Sequence, residues 1–197
     1  MHIRRLLCSI LGIWLAANIV ISAVASTNLW MIDTTLSSPE AQVGQAMKQL
    51  GYGPVRQLLR HEAGEANRFL VSSWEWVQLV LALSVLGMLF SLKSNPPYFA
   101  AAGLALLLTL ANHFLLTPEI TAFGRALDFV PAGAMIAERS RFASMERIYS
   151  FSHALVMLLS AGLLAAFLRR TRSRRLPVKA ANQINTVNYP DNAHIDR

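Results

Sequence analysis

Four stretches of this chain are apolar for long enough to cross a bilayer: Leu6 to Ser26, Val71 to Leu92, Tyr98 to Leu116 and Ile148 to Leu168. A hydrocarbon core takes about 20 mostly apolar residues in helical form. No water reaches that core, so each backbone must bond within its own helix. Between the runs the pattern changes to amphipathic. Ser38-Pro39-Glu40 has the form of an N-cap, an N1 proline and an acidic first turn. Val43, Ala46, Met47 and Leu50 follow at helical spacing until Gly51-Tyr52-Gly53 stops the pattern. From Pro54 onward, Val55, Leu58, Leu59, Ala63 and Ala66 share one face, with Arg56, Arg60, Glu65 and Arg68 mainly on the other. No breaker stands between Glu65 and the second apolar run, so one long helix is predicted to pass from outside into the membrane. Thr117-Pro118-Glu119 opens a short helix carrying Ile120, Phe123 and Leu127, Val130-Pro131-Ala132-Gly133 ends it, and a further helix from about Met135 leads into the fourth span. The predicted fold is all-α: an integral membrane four-helix bundle over 1–170, its outer, periplasmic face capped by amphipathic helices. A basic, polar and flexible tail is expected over 171–197.

Charge orients the bundle. Arg4 and Arg5 precede the first run, Lys93 sits in the turn between the second and third, and Arg169, Arg170, Arg172, Arg174, Arg175 and Lys179 follow the fourth. Four crossings put all of these on one side. The two long connections balance their charges: Lys48, Arg56, Arg60 and Arg68 against Asp33, Glu40, Glu62 and Glu65, then Arg125, Arg139, Arg141 and Arg147 against Glu119, Asp128, Glu138 and Glu146. The positive-inside rule then predicts a multi-pass protein of a bacterial inner membrane with both termini cytoplasmic. The net charge of +7 is accordingly a property of the cytoplasmic face. It is accounted for by insertion and by anionic membrane lipid, not by nucleic acid.

The N-terminus admits a second reading. Arg4-Arg5, an apolar run and Ala23-Val24-Ala25 before Ser26 also fit a cleavable signal peptide. The length of the run, enough to span a bilayer, favours a retained helix. Cys8 is the sole cysteine, so no intramolecular disulfide can form, and a small buried hydrophobe is its expected role.

Any chemistry must come from polar residues inside the spans. Glu75 lies near the outer start of the second span, Asn112 and His113 near the outer end of the third, and His153 near the outer start of the fourth. Ionisable groups at such depths face a bundle interior or a wet cavity. Glu75, His113 and His153 thus fall at one level on three helices, and His61 in the outer connection could approach them. Two imidazoles and a carboxylate suit a transition metal, and two histidines on facing helices suit an axially held haem. The plainer reading is a structural polar cluster, in which His113 pairs with Glu75 or caps Thr117 and His153 bonds Tyr149 or Ser150. Trp74 and Trp76 flank Glu75 in the manner of an aromatic belt. A proton or small-ligand path is the third possibility. No G-x-S-x-G, Walker loop, G-x-G-x-x-G or H-E-x-x-H occurs; His61-Glu62 begins the last, but position 65 is Glu65. The chain is therefore expected not to be an enzyme.

Asn67-Arg68-Phe69, Trp74-Glu75-Trp76-Val77-Gln78, Phe114-Leu115-Leu116-Thr117-Pro118-Glu119-Ile120, Gly124-Arg125 and Asp128-Phe129-Val130-Pro131 resemble the pattern of a domain-of-unknown-function family of small bacterial four-span membrane proteins. The resemblance covers about Arg56 to Leu168, and its specificity rests on the Leu-Thr-Pro-Glu-Ile stretch. It implies four helices in the same orientation and no particular activity. Two function classes follow. One is a non-catalytic accessory or scaffold subunit that packs against another membrane protein or itself. The other is a metal- or haem-handling membrane protein using His113, His153, Glu75 and His61.

Overall fold

Continuous helical periodicity, not the ends of the apolar runs, sets how far each helix extends. A computed structural model describes residues 2–38, 40–131 and 133–173. Its elements are α1 (His2–Ser37), α2 (Ala41–Leu50), α3 (Tyr52–Ser91), α4 (Pro96–Ala111), a π-helical stretch (Asn112–Leu116), α5 (Thr117–Leu127) and α6 (Ile136–Ser173). Four helices among the described residues are long and apolar enough to cross a membrane: α1, α3, α4 continued through α5, and α6. The chain is an all-α, multi-pass membrane protein. α1 and α4 each pack against both α3 and α6, so the four spans close into a ring of neighbours running up and down in turn.

The predicted long helix is present. α3 has 40 residues, about 60 Å at 1.5 Å per residue, roughly twice the hydrocarbon thickness. Its outer half therefore stands clear of the membrane. α1 likewise overshoots its apolar run by some three turns, and Ile32 and Leu36 at its outer end pack on Val55 of α3. Val43 and Met47 of α2 close the same small core. α2 starts at Ala41, and Gly51 alone separates it from α3. Gly51 has φ +85°, a conformation open to glycine and strained for other residues, so its missing side chain is what permits the reversal.

The turn from α3 to α4 is a Schellman motif. Lys93 N–H donates to Phe90 C=O and Ser94 N–H to Leu89 C=O. The left-handed position, φ 46°, is held by Lys93 instead of glycine. A lysine there costs about 1 kcal/mol against glycine.

Two boundaries differ from expectation: Ser38 does not cap α2, which begins at Ala41 behind Glu40 because α1 already runs to Ser37, and the second lies at the other connection. Thr117-Pro118-Glu119 does not open a separate helix: α4 passes through the π-helical stretch straight into α5. Proline lacks an N–H and its ring crowds the carbonyl four residues back. The wider π turn immediately before Pro118 accommodates both defects without ending the helix. At the other end, α6 continues to Ser173, and residues 174–197, where the flexible tail is expected, lie outside the described residues.

Candidate functional site

Glu75 is the most deeply buried ionisable group of the spans, 1 % exposed at the outer end of the bundle. Three elements bring donors to it. Thr117 Oγ donates to Glu75 Oε1 at 2.6 Å, and His113 Nδ1 lies 3.0 Å from Oε2. The Tyr149 hydroxyl of α6 faces the same carboxylate. An ionised carboxylate only accepts, so His113 Nδ1 then carries the bonding proton. His113 and Thr117, four residues apart, share one helix face and so meet one acceptor. The His113 ring is further held edge-on by Trp76, centroids 4.4 Å apart, and by Phe114 at 4.7 Å. Trp76 faces outward, as a belt residue does, whereas Trp74 turns inward and its Nε1–H donates to Asn18 Oδ1 at 2.9 Å.

One turn deeper, Trp14 Nε1–H reaches Gln78 Oε1 at 3.4 Å. Thr109 and Ser160 are also buried, and each hydroxyl donates to the carbonyl four residues back in its own helix. Asn18 Nδ2, Asn112 Oδ1, Ser152 Oγ and His153 Nδ1 find no hydrogen-bond partner among the described residues. Each such buried group costs about 1–3 kcal/mol when unpaired. His153 instead stacks on Tyr149, rings nearly parallel at 6.0 Å.

Above this level, outside the apolar spans, the cap is knitted by charge. Arg68 of α3 reaches Asp128, just past α5, with both Nη atoms at 3.1–3.2 Å, and also bonds Glu65. Arg125 forks onto Glu65 at 2.8 and 2.7 Å, and His61 Nδ1 lies 2.8 Å from Asp128 Oδ2. The Arg125 hydrogen bond, aided by Arg68, holds the Glu65 carboxyl down to about 2. Gly124 makes the crossing possible: a Cβ there would sit 2.7 Å from Arg68 Nη2. Nearer the membrane, Asn67 bonds both Asn28 and the Ala25 carbonyl, tying α3 to α1.

Between these elements lies a cleft of about 960 Å³. Its floor includes Val71, Thr117 and Tyr149, at the outer limits of three apolar runs, and its walls carry Arg56, Arg60, Arg68 and Arg139. Asp128 and Glu146 are the carboxylates that line it. Thr117 and Tyr149 are thus shared: both floor the cleft, Thr117 bonds Glu75 beneath it, and Tyr149 faces the same carboxylate.

Of the residues singled out from sequence, Glu75 and His113 meet directly. His153 stands beside Tyr149, and His61 belongs to the cap network above. Asn112 is buried next to His113. Among the described residues, the three metal-type donors gathered within 4.8 Å of one another are His61, Glu65 and Asp128. Arg68 is bonded to both of those carboxylates, so a guanidinium already holds the place of a cation. Sequence reasoning passed over Asn18 and Gln78, although an amide within an otherwise apolar run is itself a signal. Thr117 and Tyr149 carried no such mark. Comparison with protein-family models, with curated proteins and with solved structures finds no match.

Proposed function

We propose that this chain is a non-catalytic accessory protein of the bacterial inner membrane, crossing it four times with both termini in the cytoplasm, and that its working surface is the outer cap with its cleft. The carrying observation is the way Arg68, Arg125 and His61 fasten α3 to α5 and Asp128 around that cleft. An accessory subunit needs a fixed surface more than a reactive group, and charged groups committed to each other provide one. Its partner is another membrane protein or a second copy of the chain. The side bias of arginine and lysine supports the orientation.

A photo-reactive residue placed at Gln57, which lines the cleft, and another at Phe90, on the lipid-facing side of α3, test this in living cells. A discrete protein adduct from Gln57 and none from Phe90 is expected. Protein adducts from Phe90 alone would move the working surface to the spans and contradict the reading.

The metal alternative keeps one specific observation, the His61, Glu65 and Asp128 donors within 4.8 Å. Binding there would have to displace Arg68. A zinc or cobalt titration of the purified protein reads it: a stoichiometric site lost in His61→Ala would support a metal, and no saturable binding is the result expected from the ion-paired cap.

A further inference from the structure

We propose that the outer cleft holds the phosphate of an anionic lipid headgroup. This rests on reading the cleft as the working surface, and it names what the cleft takes.

The floor sets the depth. Leu29, Val71, Thr117 and Ser150 line the cleft, and each lies within three residues of the outer end of an apolar run. A cleft that begins at that level opens from the headgroup layer, and Arg60 and Arg139, 11 and 9 residues beyond their apolar runs, stand on its upper side, where a headgroup must rise to meet them. The lining mixes Leu29, Val71, Ile120 and Leu127 with the charged groups, as an amphiphile requires. Its volume of about 960 Å³ lies at the upper end of small-molecule sites.

The charge sets the chemistry. Four arginines line the cleft against two carboxylates. Asp128 is already engaged by Arg68 and His61. Arg56 pairs with Asp33, which is more than half exposed. Arg139 is held in position by the carbonyls of Val130, Pro131 and Ala134, so its place is fixed while its charge meets no carboxylate among the described residues. Arg60 makes no ion pair or hydrogen bond among the described residues. Two guanidinium groups without an opposing carboxylate, one of them fixed, suit an oxyanion accepting forked N–H bonds. Glu146 opposes a dianion more than a single negative charge, which favours a phosphodiester over a free phosphate.

The full chain in nanodiscs tests this, in phosphatidylcholine alone and with one fifth phosphatidylglycerol, with retained lipid counted by native mass spectrometry. Arg60→Gln is the first variant, because Arg60 supports nothing in the fold; Arg139→Gln is the second, and Arg169→Gln on the other side of the bundle is the control. Wild type should retain phosphatidylglycerol over phosphatidylcholine, Arg60→Gln should weaken that preference about tenfold, and Arg169→Gln should leave the cleft-bound lipid in place. Equal retention by wild type, Arg60→Gln and Arg139→Gln overturns the proposal. Stabilisation of the phosphatidylcholine discs by soluble glycerol phosphate, lost in Arg60→Gln, overturns the lipid as the source of the phosphate. An impermeant thiol reagent on Gln57→Cys separates the two levels. Labelling from outside without lipid selectivity sinks only the ligand, whereas labelling from the cytoplasmic side alone sinks the working-surface reading with it.

Discussion

The two halves of the bundle interior are built from different materials. Toward the end of the Lys93 turn the core is Leu7, Leu11, Ala82, Val85, Leu89, Ala102, Ala105, Leu163 and Phe167, and Ser160, buried on α6 between Val156 and Leu163, satisfies its hydroxyl within its own helix. Toward the outer end the buried residues are Asn18, Glu75, Gln78, Thr109, Asn112 and Ser152, with Trp14 and Trp74 turned in to bond two of them. In lipid the separated helices are already solvated by hydrocarbon, so the apolar half gains only packing by associating. It brings helices together without saying which residue faces which. The polar half supplies that information, because each carboxylate, amide and indole has a small set of acceptable partners and a penalty for missing them.

The sharpest way to break this contrast is to substitute once in each half. Glu75→Ala leaves His113 and Thr117 without their shared acceptor and should destabilise by about 3 kcal/mol. Leu89→Ala, fully buried in the apolar half, should cost about 2 kcal/mol, since the transfer contribution falls away in lipid and the packing loss remains. Thermal unfolding of both variants in the same nanodiscs orders them. A larger loss from Leu89→Ala would mean that packing, not the polar network, governs assembly.

The contrast also explains what was legible in the chain. Four spans, the cap helices and the meeting of Glu75 with His113 followed from hydropathy, helical spacing and depth, whereas the capping signals misplaced the helix starts, since no side chain caps α2 or α5. Depth alone could not bring His153 to the same carboxylate, because its place around α6 depends on helix rotation, and the stack on Tyr149 holds it there. His61 lies more than three turns above Glu75 on α3 and finds Asp128 instead, a residue 67 positions away. The π-helical stretch was hidden because Leu-Thr-Pro-Glu is equally the signature of a helix start. Only the packing of α4 and α5 as one rod distinguishes the two.

A smaller effect is expected in the cap. Gly124→Ala would place a methyl 2.7 Å from Arg68 Nη2, displacing the guanidinium from Asp128. Because a helical alanine regains about 1 kcal/mol over glycine, the net loss should stay below about 1 kcal/mol, with hydrogen exchange rising in α5 and not in the inner half of α3. Unchanged exchange in α5 would show that the cap does not depend on this crossing.

Acid acts on the same network. Glu65, outside the apolar span, is held near 2 when folded against an ordinary value of 4.5. Its contribution is therefore complete above about pH 4.5 and is lost as pH falls toward 2. Melting curves should show this component flat from pH 7 to 5 and declining below, and Glu65→Gln should remove that decline. A decline identical in the variant would assign it elsewhere.

The smallest change is in the inner turn. Lys93→Gly relieves a left-handed lysine and should stabilise by about 0.5–1 kcal/mol while removing a topological charge. A loss of stability would mean that the lysine makes a contact worth more than its backbone strain.

The proposed orientation requires the polar half and its cleft to face outward. Single cysteines in a Cys8→Ser background measure this, Gln57→Cys in the cleft and Ser94→Cys in the turn between α3 and α4. With a membrane-impermeant maleimide on intact spheroplasts, Gln57→Cys should label at once and Ser94→Cys only after lysis. The reverse order, Ser94→Cys labelled in intact spheroplasts and Gln57→Cys protected, would turn the bundle over and contradict the account.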